Sequence, residues 1–433
     1  MINYKNKNIV IIGLGITGMS CVKFFLKKGV IPRVIDTRKY LCKLIPSYIP
    51  CHLGSINELW LFSAELIVIS PGFKLKYSLL LKLISLNIKI VSDIELFVNE
   101  VNKPIIAITG SNGKSTVTTL VGKIIQANGL LVGIGGNIGI PVLSLLDNYY
   151  HIYVIELSSF QLEFTYNLNA MIAVITNISE DHMDRYPLKL IEYSSIKYKI
   201  YYNAKYCIIN NRYYNKLLKY NKNYHITFGK LGNYKVDLYN NTNWIVVNNN
   251  LVLSCNKLKV KGIHNYYNIL IALAIADILH ISRNISINTL CSFSGLEHRF
   301  QIIHERNNVK WINDSKSTNV SSTKAALKSI IIKNKLHLIL GGDSKSANFS
   351  PLLPWLNHSN ILVYCFGKDK YKIASLCNTV VLANTLNQLM HIIISNVKRH
   401  DIVLLSPACA STDQFKSFIE RGVLFTNLAK TLY

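Results

Sequence analysis

The stretch Ala107-Ile108-Thr109-Gly110-Ser111-Asn112-Gly113-Lys114-Ser115-Thr116 has the residue types and spacing most directly suited to chemistry. It follows the apolar pair Ile105-Ile106 and precedes the helical pattern Val117 to Val121. That order is strand, glycine-rich turn, helix. Such a turn offers backbone N–H groups at a helix N-terminus, which suits a phosphate. Lys114 can reach the outer phosphates, and the Ser115 hydroxyl can ligate Mg²⁺. The common phosphate-loop pattern has glycine where this chain has Ile108, leaving the tighter form Thr-Gly-x-x-Gly-Lys-Ser-Thr. The stretch predicts ATP binding.

Other motifs also sit at strand ends. Gly13-x-Gly15-x-x-Gly18, with Asp36 closing the next strand, has dinucleotide-fingerprint spacing. It places a nucleotide diphosphate on the first helix without saying which one, and a bare βα turn has the same pattern. Glu156, in Glu-Leu-Ser-Ser-Phe-Gln, ends a strand near the phosphate loop. It is placed either to hold Mg²⁺ or to cap a helix. Glu180, Asp181 and Asp184 flank His182 on one loop of a chain poor in acids, which makes His182 a candidate ligand for a second metal. Lys197 has nothing local to distinguish it, and its residues alone read as a solvated helix lysine. His264-Asn265-x-x-Asn268 opens a helix. Arg299 sits at a unit boundary, where it can meet a γ-phosphate. Asn313 to Asn319, Gly341 to Lys345 and Ser406 to Ser411 each follow a strand.

The elements that must position these groups alternate. Ile9–Ile12, Arg33–Ile35 and Leu66–Ile69 are continuous apolar runs, as in a parallel sheet covered on both faces. A second unit starts near Asp93 and continues through strands at Tyr153–Ile155, Ala173–Thr176 and Cys207–Asn210. Tyr220 to Lys261 is weakly specified, with short polar β-like pieces, and a helix follows from Asn265 to Leu279. Leu296–Arg299 reads as a linker into a third unit. Its strands are Trp311–Asp314, Leu336–Leu340, Leu362–Phe366 and Val403–Leu405. The expected fold is α/β, with three domains in series at 1–92, 93–297 and 298–433.

Composition narrows the function. Half of the 433 residues are apolar and 16% are charged, enough for sizeable cores and against disorder. Lys and Arg outnumber Asp and Glu by 48 to 23. The lysines are scattered among Asn, Ile and Tyr, all with A/T-rich codons, and no basic stripe forms, so nucleic acid is not the expected partner. Nine cysteines without a C-x-x-C pair argue against disulfides and zinc and fit a reducing cytosol. Lys5 and Lys7 before Ile9–Ile12 imitate a signal peptide, but Gly13 and Gly15 break the run and no cleavage site follows. Lys82, Asn87 and Lys89 interrupt Leu79–Val91, so no membrane span is expected. A soluble, cytoplasmic monomer is the expectation.

Together the motifs resemble the Mur ligase family nearly end to end. Thr109 to Thr116, Glu156 to Glu163, Glu180 to Tyr186 and Asn313 to Asn319 stand in that family's order. Ser406 to Gly422, Ser-Pro-Ala-Cys-Ala-Ser-x-Asp-Gln-Phe-x-x-Phe-x-x-Arg-Gly, favours the branch that adds D-glutamate to UDP-N-acetylmuramoyl-L-alanine. The resemblance implies a Rossmann-like N-terminal domain, a central phosphate-loop ATPase domain and a Rossmann-like C-terminal domain. It implies ATP as co-substrate, two Mg²⁺ ions and an acyl-phosphate intermediate in peptidoglycan precursor synthesis; a sister ligase adding another amino acid is the alternative.

It also implies roles. Gly13, Gly15, Ile16, Thr17, Asp36, Thr37 and Arg38 would hold the UDP portion, replacing the dinucleotide reading. Gly72, Asn137, Ser158 and Gln161 would place the rest of that substrate. Gly110, Ser111, Asn112, Gly113, Lys114, Ser115 and Thr116, with Asn268, Arg299 and Asp314, would contact ATP. Ser115, Glu156, His182 and Lys197 would serve the metals, with Lys114, His182 and Lys197 catalytic and Lys197 carbamylated. Lys316, Thr318, Lys345, Ser411 and Phe418 would surround D-glutamate. Glu297, Ser317, Asn348 and the Tyr220–Lys261 region depart from the family pattern. None of these departures is expected to touch a residue named above.

Overall fold

A computed structural model of the chain describes residues 2–39, 45–73, 75–186 and 189–433. It contains three sheets. The first comprises β1 (Ile9–Ile12), β2 (Arg33–Asp36), β3 (Cys51–Leu53), β4 (Leu66–Ile69) and β5 (Lys89–Val91), in the order β3-β2-β1-β4-β5. Every pair is parallel. Its apolar runs are buried because helices such as Ile16–Lys27 cover it. β3 and β5, three residues each, are edge strands that the sequence pattern did not reveal.

The second sheet comprises β6 (Ile105–Thr109), β7 (Val132–Gly136), β8 (Ile152–Glu156), β9 (Ile172–Ile175), β10 (Tyr206–Asn210), β11 (Tyr224–Phe228), β12 (Tyr234–Tyr239), β13 (Thr242–Val247) and β14 (Asn250–Ser254). Their order is β14-β13-β12-β11-β10-β9-β6-β8-β7. The polar Tyr220–Lys261 region thus extends this sheet, ending in two antiparallel pairings. Chain direction across the sheet reverses around β6, which leaves a crevice at its carboxyl end, where α/β sheets bind ligands.

The third sheet comprises β15 (Gln301–Arg306), β16 (Val309–Asn313), β17 (Leu336–Gly341), β18 (Ile361–Phe366), β19 (Val380–Leu382) and β20 (Ile402–Leu405). Their order is β15-β16-β20-β17-β18-β19, antiparallel only at β15. Apolar clusters cover both faces, one around Leu338, Leu340 and Leu404, the other around Trp311, Val403 and Phe425.

These sheets make three α/β domains in series. By packing the chain divides into two compact units. One gathers Met1–Ile178, Tyr193–Cys255 and Tyr267–Cys291, with the first two sheets. The other gathers Ser179–Glu192, Asn256–Tyr266 and Ser292–Tyr433, with the third. Within the first unit, Ser92 joins the two sheets. Its N–H donates to Phe164 O at 2.9 Å, and its hydroxyl lies 2.8 Å from Thr165 Oγ1.

One close approach fixes the first βα turn. A Cβ on Gly18 would collide with the Gly13 carbonyl, which also accepts the Ser70 hydroxyl at 2.8 Å. Gly18→Ala is expected to lower stability by about 1–3 kcal/mol through overpacking, read by thermal or urea unfolding.

Candidate functional site

The phosphate loop is held from both sides within the first unit. Gly110 (φ 148°) and Gly113 (φ 81°) occupy backbone conformations that side chains rarely adopt. A Cβ on Gly110 would strike Thr176 Oγ1, and one on Gly113 would strike Asn268 Oδ1. Asn177, just past β9, clamps the turn: its carbonyl accepts Ser111 N–H at 2.9 Å and its Oδ1 accepts Asn112 N–H at 3.0 Å. Asn268 therefore lies against the loop, far though it is in sequence. Lys114 Nζ curls back onto the carbonyls of Gly110 (2.7 Å) and Ser111 (2.9 Å). Ser115 and Thr116 are buried at the start of the helix Lys114–Ala127.

Lys197 corrects the residue-level reading of a solvated lysine. It is 1% exposed. Its Nζ donates to Gly110 O at 3.0 Å and Thr109 Oγ1 at 3.3 Å, and lies 4.7 Å from the centre of the Tyr193 ring. Tyr193 OH stands 3.2 Å from Ser111 Oγ. The i, i+4 pair Tyr193/Lys197 shares one face of the helix Lys189–Tyr198, and that face packs under the phosphate loop.

Glu156 ends β8 beside β6, with Ile108 as its register partner. It caps no helix. Ser158 caps Ser159–Glu163 through a capping box with Gln161. Glu156 Oε1 accepts Asn137 Nδ2 at 2.8 Å, while Oε2 is buried without a hydrogen-bond partner. An orphaned buried carboxylate oxygen fits a cation. Lys197 as an ammonium does not fit as a ligand; converted to a carbamate it would. His182 groups with the second unit. Among the described residues no three of His, Cys, Asp and Glu converge as a metal-binding group, so the acids around His182 form no chelate of their own. Asp181 meets Asn319 Nδ2 (3.2 Å), Lys345 Nζ (3.6 Å) and His182 Nε2 (3.7 Å).

A cavity of about 550 Å³ opens at the carboxyl ends of β1, β2 and β4 and continues to the turn after β7. Gly13, Gly15, Ile16, Thr17, Asp36, Thr37, Arg38, Gly72, Asn137 and Gln161 all line it. Ser158 is not among the lining residues, and its hydroxyl is engaged in the capping box. Asp36 lines the cavity but its oxygens are committed. Oδ2 accepts Leu14 N–H (2.6 Å) and Arg38 Nη2 (2.8 Å); Oδ1 accepts Arg38 N–H (2.9 Å) and Nε (3.0 Å). It fixes the turn and the Arg38 guanidinium rather than standing free for a ribose hydroxyl.

The second unit assembles the remaining residues at its own strand ends. Lys316 Nζ lies 3.9 Å from the centre of the Phe418 ring. Thr318 follows in the same turn, its N–H donating to Lys316 O at 2.8 Å. Asp343 and Ala410 pair as a bridge, which brings the Lys345 and Ser411 loops side by side. Arg421, unforeseen in the sequence, ties these loops from below. Fully buried, it donates to Ser315 O (2.8 Å), Ser315 Oγ (3.0 Å) and Cys409 O (3.2 Å). Asp314 is buried, and burial lifts its carboxyl to about 6 against hydrogen bonds from Ser317, Ser406 and Phe300. Ser317 Oγ donates to Asp314 Oδ2 at 2.5 Å. That departure therefore does touch a candidate ATP residue, contrary to expectation. Arg299 is half-buried nearby in sequence, its N–H on Leu296 O at 3.3 Å.

Comparison with known proteins decides the family. "Mur ligase MurD-like, N-terminal domain" matches residues 7–92, "Mur ligase middle domain" residues 108–276, and "Mur ligase, glutamate ligase domain" residues 298–409. The chain belongs to the Mur ligase family. It is 50% identical over 437 residues to the UDP-N-acetylmuramoylalanine–D-glutamate ligase of Blochmanniella pennsylvanica, covering 99% of both chains. It is 49% identical to the protein of that name from Escherichia coli K12, covering all of both. Among solved structures, a pseudomurein peptide ligase type C from Methanothermus fervidus shares the fold (TM-score 0.64, 21% identity, 99% of this chain and 100% of that one). So does the UDP-N-acetylmuramate-alanine ligase MurC of Thermotoga maritima (TM-score 0.62, 20% identity, the same coverage).

The Asp36 interactions have a pH signature. Burial pushes its carboxyl up, but Arg38 and the backbone N–H donors outweigh this and hold it at about 2, from 3.8. A carboxyl depressed on folding stabilises above its unfolded value, and that stability is lost as pH falls through the folded value. Asp36→Asn should melt below the parent at pH 7, with the gap closing between about pH 4 and pH 2 in thermal scans.

Proposed function

We propose that this chain is an ATP-dependent ligase that joins D-glutamate to UDP-N-acetylmuramoyl-L-alanine, in cytoplasmic peptidoglycan precursor synthesis. One observation carries the reading. Asn137 lines the nucleotide-type cavity and also donates to Glu156, the buried carboxylate beside the phosphate loop. A single side chain thus joins a UDP-substrate site to a phosphoryl-donor site, as an enzyme that phosphorylates its bound substrate requires. The relatives' shared name, UDP-N-acetylmuramoylalanine–D-glutamate ligase, supports the substrate assignment. A family structure, MurF of Thermotoga maritima (TM-score 0.64), is a complex with ADP, which supports ATP as co-substrate.

The chemistry follows from a carboxylate being a poor acyl donor. The L-alanyl carboxylate attacks the γ-phosphorus of ATP, giving an acyl phosphate and ADP. The D-glutamate amine attacks the acyl carbon, and inorganic phosphate leaves as the amide forms. The loop N–H groups and Lys114 hold the phosphates and meet the charge that develops on them. Ser115, Glu156, His182 and a carbamylated Lys197 would hold two Mg²⁺ ions, whose chemistry is neutralisation of the transferred phosphoryl group. Asn268, Arg299 and Asp314 contact ATP. Lys316 and Lys345 meet the amino-acid carboxylates, with Thr318, Ser411 and Phe418 shaping that pocket.

The test is ADP release by the purified chain with ATP, Mg²⁺ and UDP-N-acetylmuramoyl-L-alanine, comparing D-glutamate, L-glutamate and no amino acid. Turnover is expected with D-glutamate alone. Turnover without the UDP substrate, or with another amino acid instead, would overturn the assignment.

A further inference from the structure

Asp93 is buried at the start of the helix Asp93–Val98, and the mechanism above does not use it. Its side chain is 1% exposed. The groups acting on its carboxyl are Gln161 and two backbone N–H groups, with no cation among them. Burial consequently lifts that carboxyl to about 6. A carboxylate buried without a counter-ion costs stability, so its surroundings need a reason.

The reason lies in the Gln161 amide. Gln161 Nε2 donates to Asp93 Oδ1 at 3.2 Å and Oδ2 at 3.4 Å. At its other end, Oε1 accepts the Ser158 N–H at 3.1 Å and the Ser158 hydroxyl at 3.2 Å. An ionised carboxylate only accepts and a backbone N–H only donates, so the two partners impose the same amide orientation. The two Asp93 oxygens lie too close together to take both Nε2 hydrogens and share one, so both Oε1 lone pairs are used and one Nε2 hydrogen remains. Gln161 lines the 550 Å³ cavity. What it can offer there is a single N–H.

We propose that Asp93 is a positioning residue for the UDP substrate. By accepting from Gln161 Nε2 it fixes that amide as a donor to an acceptor oxygen of the bound molecule. The inference rests on reading the cavity as the UDP-N-acetylmuramoyl-L-alanine site. It makes this part of the cavity selective for an oxygen acceptor over a donor.

The experiment is a double-mutant cycle on KM: parent, Asp93→Asn, Gln161→Ala and the double variant, each with a melting curve. Asn fits the same volume but can present NH₂ in place of an acceptor, so Gln161 Nε2 loses its fixed partner and only Ser158 still holds the amide. Asp93→Asn should raise KM for the UDP substrate about tenfold, with kcat and the KM values for ATP and D-glutamate within about twofold. In the Gln161→Ala background it should add nothing further. An unchanged KM, or the same penalty without Gln161, overturns the proposal. If Asp93→Asn does not fold, Asp93→Ser takes its place. If neither folds while Gln161→Ala does, Asp93 is a folding residue and the proposal falls. A parent enzyme without turnover overturns the functional reading and this proposal together; an active parent with indifferent variants overturns this proposal alone.

Discussion

The first unit depends on how closely the phosphate loop is drawn onto the strands beside β6. Gly110 and Gly113 leave room for Thr176 and Asn268 and for nothing larger. That contact sets the start of the helix Lys114–Ala127 at the end of β6 and brings Lys114, Lys197 and Glu156 to the same sheet edge. A phosphate is bound by fixed dipoles only where they are already aligned, since realigning them during reaction costs part of their benefit. A side chain at either glycine would break the alignment before it touched a nucleotide.

Electrostatics then divides the labour. The chain carries a net charge of +25, yet its site carboxylates are buried and each is differently committed. Asp36 is spent on Arg38 and the first βα turn. Asp93 is spent on Gln161. Asp314 is held by two hydroxyls and a backbone N–H. Glu156 alone among these four keeps a buried oxygen without a hydrogen-bond partner, and it stands beside the phosphate loop. Of these four carboxylates, the one left with capacity for a cation is the one beside the phosphate loop.

Much of this was legible in the sequence, because glycine turns after apolar strands mark sheet edges locally. The β1, β6 and β8 turns could be read that way. Even the polar Tyr220–Lys261 region showed its β character. The short edge strands β3, β5, β15 and β19 were not legible, since three to six residues carry little period. Lys197 could not be read from its own neighbours, and only the family resemblance singled it out, because its target, the Gly110 carbonyl, is 87 positions away. Arg421 and Asp93 escaped for the same reason: a buried charge is defined by distant carbonyls or amides that only the fold supplies. Ser317 looked incidental until its hydroxyl was found on Asp314.

On the proposed function, the site activates a carboxylate by phosphoryl transfer. The most direct measurement uses UDP-N-acetylmuramoyl-L-alanine with ¹⁸O in its terminal carboxylate, following the label by mass spectrometry or ³¹P NMR during turnover with D-glutamate. The oxygen that attacks the γ-phosphorus stays with that phosphorus when the amine displaces it. One ¹⁸O per turnover in inorganic phosphate is the predicted result. Label in AMP, or none in any phosphorus product, would contradict the account.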